Sequence, residues 1–116
     1  MNAQLIHQHA GRKPTELQLE LAFSTLPRLR GLLGRRSLAQ GHGLWIKPCN
    51  SVHCCFMRFA IDALYLDSQQ RVLKIRHTLA PWQFSLCWRA TSVLELAAGE
   101  SRRLGIEPGD HLLCDI

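Results

Sequence analysis

Apolar and polar residues alternate from Leu17 to Phe23, with Leu17, Leu19, Leu21 and Phe23 on one face and Gln18 and Glu20 on the other. A period of two belongs to extended chain, so this stretch predicts a half-buried strand with one wet side. After Ser24 or Thr25, which can cap a helix, the period lengthens. Leu26, Leu29, Leu32 and Leu33 recur at helical spacing, Arg28, Arg30 and Arg35 face water, and Gly34 marks a stop. Leu44 to Lys47 predicts a short strand ended by Pro48. From Ala60 to Leu66 the chain is apolar on both sides apart from Asp62, the pattern of a central strand covered on both faces. Asp67 to Gln70 supplies turn chemistry, and Arg71 to Ile75 returns as the partner of a hairpin.

Beyond the hairpin, His77 to Leu86 reads as a connecting loop and Ser92 to Leu96 as a strand whose Glu95 points outward. Gly99 to Gly105 can hold one helical turn with Arg102 and Arg103 exposed. Pro108, Gly109 and Asp110 form a tight turn before a last strand, His111 to Ile116. Residues 1–14 carry no clear period and read as a loose lead-in to a single globular domain over 15–116. The expected fold is α+β and β-rich: a small barrel- or sandwich-like antiparallel sheet with one or two short helices.

Composition narrows the class. The 116 residues, 47% of them hydrophobic, suffice for one core. No run approaches the ~18–20 apolar residues of a membrane helix, and the start lacks a basic-then-apolar leader, so a cytoplasmic protein is expected. Five cysteines at irregular spacing (49, 54, 55, 87 and 114) are not a disulfide framework. The net charge of +5 draws on an early basic cluster, Arg12, Lys13, Arg28, Arg30, Arg35 and Arg36. No aromatics interleave it as single-strand binders require, so a solvated face is favoured over RNA binding.

Candidate chemistry concentrates between Cys49 and Leu66, where two adjacent cysteines, a histidine, an arginine and an aspartate interrupt the most apolar part of the chain. Cys49, His53, Cys54 and Cys55 are all zinc-ligand types. On an extended strand, however, Cys49 and His53 stand ~13 Å apart, whereas zinc holds its ligands at ~2.0–2.3 Å. No metal or cofactor is therefore expected. A thiol nucleophile built on His53 and Cys55 lacks an identifiable orienting group and oxyanion donors, so no residue is assigned as catalytic. The preferred site is a polar cluster of His53, Met57, Arg58 and Asp62, with Trp45 and Trp82 as an apolar wall. A carboxylate at position 62 has either to pair with a cation, Arg58 or His53 being nearest in sequence, or to accept backbone hydrogen bonds.

Four blocks carry a resemblance: Arg28-x-x-Gly31-Leu32-Leu33-Gly34-Arg35; Gly43-Leu44-Trp45-x-x-Pro48-Cys49; Ser51-Val52-His53-x-x-x-Met57-Arg58-Phe59-x-Ile61-Asp62; and Val93-Leu94-Glu95-Leu96-x-x-Gly99, closed by Gly109-Asp110. In order and spacing they resemble domain-of-unknown-function family 192, the uncharacterised ancient conserved region family. The resemblance implies a small β-rich domain, and no activity is established for the family. Cys54 stands where the family usually has threonine, Cys55 where it has a large apolar residue, and Ala60 where it has proline. A function shared across the family thus does not depend on thiols at 54 and 55.

The function expected from the sequence is a non-enzymatic binding or accessory module. Its partner is a small polar or anionic ligand or another protein, with neither membrane nor nucleic acid expected. The alternatives are a small metal- or thiol-dependent hydrolase using His53, Cys55 and Asp62, and RNA binding through the early arginines.

Overall fold

The computed structural model describes residues 1–8, 11–22, 38–53 and 59–114. Nine strands occur among them: β1 Asn2–Ile6, β2 Thr15–Ala22, β3 His42–Ile46, β4 Ser51–His53, β5 Ile61–Leu66, β6 Val72–Leu79, β7 Phe84–Leu86, β8 Ser92–Ala97 and β9 His111–Cys114. A single helical turn, α1, spans Glu100–Arg103. Seven strands form one mixed sheet in the order β6-β5-β8-β3-β2-β1-β9, and β4 pairs with β7 in a separate ribbon. The expected β-rich α+β architecture is found. The helix expected from Ser24 to Gly34 falls outside the described residues.

All six residues of β5 are buried, as its apolar pattern on both sides requires. Alternation divides the core into two clusters. Leu44, Ile46, Ala63, Tyr65 and Val93 pack on one face of the sheet. Leu5, Leu17, Leu19, Trp45, Leu64, Leu66, Leu94, Leu96 and Leu112 pack on the other. Gly43 stands where a side chain would not fit, since a Cβ there would meet Leu96 Cδ2 at 2.8 Å and Leu19 Cδ2 at 3.0 Å.

Several expectations need correction. Residues 1–14 are not a lead-in. The segment contains β1, which pairs with both β2 and β9 and buries Ala3 and Leu5. Two alternating apolar positions, Ala3 and Leu5, are too few for a visible period, yet sheet pairing on both sides holds them. The sheet is mixed rather than antiparallel throughout, because β2 and β3 run parallel. Parallel neighbours need a long crossover, and residues 23–41 supply its length. The stretch from His77 to Leu86 is not all loop either: β6 extends to Leu79, and Phe84–Leu86 forms β7.

Asp110 is more than a turn residue. It is buried and accepts hydrogen bonds from the backbone N–H of Gln8 (3.0 Å) and of Glu107 (2.9 Å). Its Oδ2 also lies 3.1 Å from His7 Nδ1, while His7 Nε2 lies 2.6 Å from Thr15 Oγ1. A carboxylate only accepts, so Nδ1 carries a proton towards Asp110, while Nε2 is paired with the threonine hydroxyl. This chain of bonds ties the end of β1 to the starts of β2 and β9.

Among the described residues, the edges of the sheet meet where Arg71, just before β6, bridges His111 of β9. There Val72 N–H donates to Asp110 O at 2.8 Å and Leu112 N–H to Gln70 O at 2.9 Å. The sheet is curled edge to edge but does not close, and among the described residues no other strand pairs with the outer side of β6.

Candidate functional site

In the β5–β6 ladder Ile61 pairs with Leu79 and Ala63 with Arg76, so His77 and Thr78 together stand opposite the single residue Asp62. This is a β-bulge, a device that re-aims side chains and recurs beside functional sites. Thr78 adopts φ 51°. For a β-branched residue that left-handed conformation stores on the order of 1–3 kcal/mol and persists only where its surroundings impose it.

Asp62 imposes it. Its Oδ1 accepts the N–H of Thr78 at 2.9 Å. Its Oδ2 accepts the N–H of Gly99 (3.1 Å), the N–H of Ser101 (3.0 Å) and the Ser101 hydroxyl (2.6 Å). Gly99, at φ 88°, turns the chain from β8 into α1, so the one carboxylate joins the bulge of β6 to the start of that helical turn. Burial alone would push the Asp62 carboxyl up. The Ser101 hydroxyl and the three backbone donors outweigh it and hold the group below the ordinary aspartate value. Of the two ways to satisfy position 62, the structure shows the backbone one. Because the Ser101 hydroxyl gives its proton to Asp62, it accepts from His77 Nδ1, 3.0 Å away. That leaves His77 Nε2 to point elsewhere. The order carboxylate–serine–histidine, with Ser101 fully buried, is a positioning chain and not a nucleophile–base pair.

His77 lines a groove of about 620 Å³ beside β6. Lys74, Arg76 and His77 come from β6, Phe84 and Leu86 from β7, and Arg102 from α1. Lys74 donates to Leu86 O at 3.1 Å and lies 5.8 Å from the Tyr65 ring centroid, so it holds β7 against β6. Among the described residues neither Arg76 nor Arg102 has an acidic partner, whereas Arg103 is bonded to Glu100 through Nε and Nη2.

Of the residues singled out from the sequence, His53, Asp62, Trp45 and Trp82 are among those described. His53 lies on β4, its backbone paired with Phe84 of β7. Met57, Arg58, Cys54 and Cys55 lie outside the described residues. Trp45 is fully buried within the core, and Trp82 is 66% exposed in the turn before β7, so the two do not share an accessible wall. Among the described residues no three His, Cys, Asp or Glu side chains are placed to hold a metal ion. The sequence reading missed His77, Ser101 and the cations of the groove; the run Lys74-x-Arg76-His77 was the available signal.

Glu95 reverses its expectation. It is 4% exposed, and burial raises its carboxyl to about 7. It pairs with Ala63 while Asp62 pairs with Leu96. Directly paired residues share a face of the sheet, so Glu95 and Asp62 lie on opposite faces and form no carboxylate pair.

A curled mixed sheet, a carboxylate-locked bulge and a cationic groove define a small β domain without an assembled catalytic set among its described residues. The chain belongs to the domain-of-unknown-function family DUF192, Uncharacterized ACR, whose model matches residues 6–114. It is 32% identical over 108 residues to the UPF0127 protein PF1050 of Pyrococcus furiosus, covering 86% of this chain and 90% of that one. A crystal structure from Sinorhizobium meliloti 1021, described as that of a candidate transcription regulator, matches with TM-score 0.86 and 28% identity over 96% of this chain and 90% of its own. A protein of unknown function from Novosphingobium aromaticivorans shares the fold, with TM-score 0.86 and 21% identity over 97% of this chain and 84% of its own. No helix among the described residues is long and apolar enough to cross a membrane.

Proposed function

We propose that this protein is a non-enzymatic binding module whose recognition surface is the groove beside β6, and that its ligand presents anionic groups. One observation carries the reading. Lys74, Arg76, His77 and Arg102 converge on one groove from two elements, and the bulge that aims His77 is fixed by a buried carboxylate. Exposed arginines without acidic partners are ready donors to carboxylate or phosphate. Thiols at Cys49, Cys87 and Cys114 suit a reducing compartment, which supports a cytoplasmic location.

Titration with pyrophosphate, followed by amide NMR, tests the site. Saturable shifts at Arg76, His77 and Arg102 are expected, and they should vanish in the Arg76→Glu, Arg102→Glu double variant. Shifts that are spread over the surface, do not saturate and survive the double variant would overturn the reading.

A further inference from the structure

We infer that the groove receives an acidic peptide in extended conformation, which adds to the sheet as a strand along β6. The inference rests on the groove being a binding site. It adds that the ligand is a polypeptide and that the backbone of β6 takes part in holding it.

The argument starts from topology. β6 is the terminal strand of the seven-stranded sheet. Its inner side pairs with β5 from Val72 to Leu79. On its outer side the turn at 109–111 engages Arg71 and Val72, and among the described residues no further strand pairs there. The ladder with β5 is regular from Lys74 to Arg76, between register shifts at Leu73 and at His77–Thr78. Alternate residues of an antiparallel ladder aim both N–H and C=O away from the partner strand, so this short run presents backbone donors and acceptors on its outer side. Four consecutive residues of β6, Lys74 to His77, line the groove. The groove therefore follows the strand edge. An extended peptide can continue such a ladder, with main-chain bonds supplying affinity and alternate side chains supplying selectivity.

Charge then chooses among peptides. Lys74 and Arg76 flank the edge on one face of β6, and His77 with Arg102 of α1 flanks it on the other. A second copy of β6 would bring the same cations together, which is how natural edges are kept from pairing with themselves. A strand with Glu or Asp at alternate positions meets cations separated by ~6.6 Å, the two-residue repeat of a strand. The bulge at His77–Thr78 sets one end of the regular run, and the register shift at Leu73 sets the other. Single-stranded nucleic acid would match the charge, but it cannot continue the N–H and C=O ladder.

The test uses the full chain and end-blocked ten-residue peptides of alternating Thr and Glu. A second peptide carries N-methyl groups on four consecutive central residues, which blocks both edges. Calorimetry with hydrogen exchange is expected to show saturable binding, slowed exchange of amides between Leu73 and His77, at least tenfold weaker binding of the N-methylated peptide, and at least tenfold weaker binding to Arg76→Glu. Equal binding of the two peptides, or no peptide binding while pyrophosphate still binds, would overturn strand addition and leave the anion groove standing. Displacement of the peptide by a single-stranded oligonucleotide of higher affinity would reassign the groove to nucleic acid. If neither peptide nor pyrophosphate binds, both readings fall.

Discussion

Ser101 Oγ lies 2.6 Å from Asp62 Oδ2, across 39 positions of sequence. That short bond and its three companions make Asp62 the joint between the β5–β6 hairpin and the turn that follows β8.

Replacing Asp62 with Ala leaves two backbone N–H groups of one turn and the N–H of Thr78 without their acceptor. Unfolding in urea should show a loss of about 3–5 kcal/mol, the range for emptying a buried, hydrogen-bonded charged site. Asp62→Asn should recover only part of this, because an amide NH₂ in place of Oδ2 would face three donors. A loss below about 1 kcal/mol for the alanine variant would show that the joint is dispensable.

Glu95 and Asp62 give stability opposite pH dependences. The folded protein raises the Glu95 carboxyl from 4.5 to about 7, so between those values the folded state holds more protons than the unfolded one. Its contribution to stability is full below 4.5, falls as pH rises towards 7 and is lost above it, by up to about 3 kcal/mol. Asp62, lowered from 3.8, contributes above its unfolded value and is lost as pH falls through its folded one. Urea midpoints from pH 4.5 to 8 should therefore decline in the wild type. In Glu95→Gln the curve should flatten, with the variant more stable than wild type at pH 8.

At Gly43 an added methyl would meet three leucine side chains at 2.8–3.0 Å. Gly43→Ala should cost about 1–3 kcal/mol by overpacking. A Gly43→Ala, Leu96→Ala double variant should recover less than the methyl costs, since it removes more volume than it adds. Thermal melts of both proteins decide it.

Leu5 is fully buried between β2 and β9. Leu5→Ala should destabilise by about 2–5 kcal/mol, as expected of a core leucine. An effect within about 0.5 kcal/mol of wild type would return residues 1–14 to the status of a lead-in.

The hairpin of β5 and β6 was legible because its signals are local: a doubly covered apolar run, a turn, and a return. The burial of Glu95 was legible too, had Val93, Leu94, Leu96 and Ala97 been weighed together, since apolar neighbours on both sides mark a central strand. β1 escaped because only Ala3 and Leu5 alternate with polar residues. The parallel pairing of β2 with β3 left no local trace, as register between distant strands depends on the whole sheet. The site followed the same division. Asp62 stood out as a polar residue in an apolar strand, but nothing near it in sequence announced Ser101, 39 positions on, or the bulge that brings His77 to it.

The pairing of β1 with β9 carries a temporal consequence. His7 and Asp110 are 103 residues apart, and β1 can complete its pairing only once β9 has been synthesised. Such long-range contacts slow folding, because the loop must close before the contact rewards it. During synthesis the side of β1 that finally pairs with β9 stays open, and a nascent chain in that state is exposed to mispairing with its neighbours.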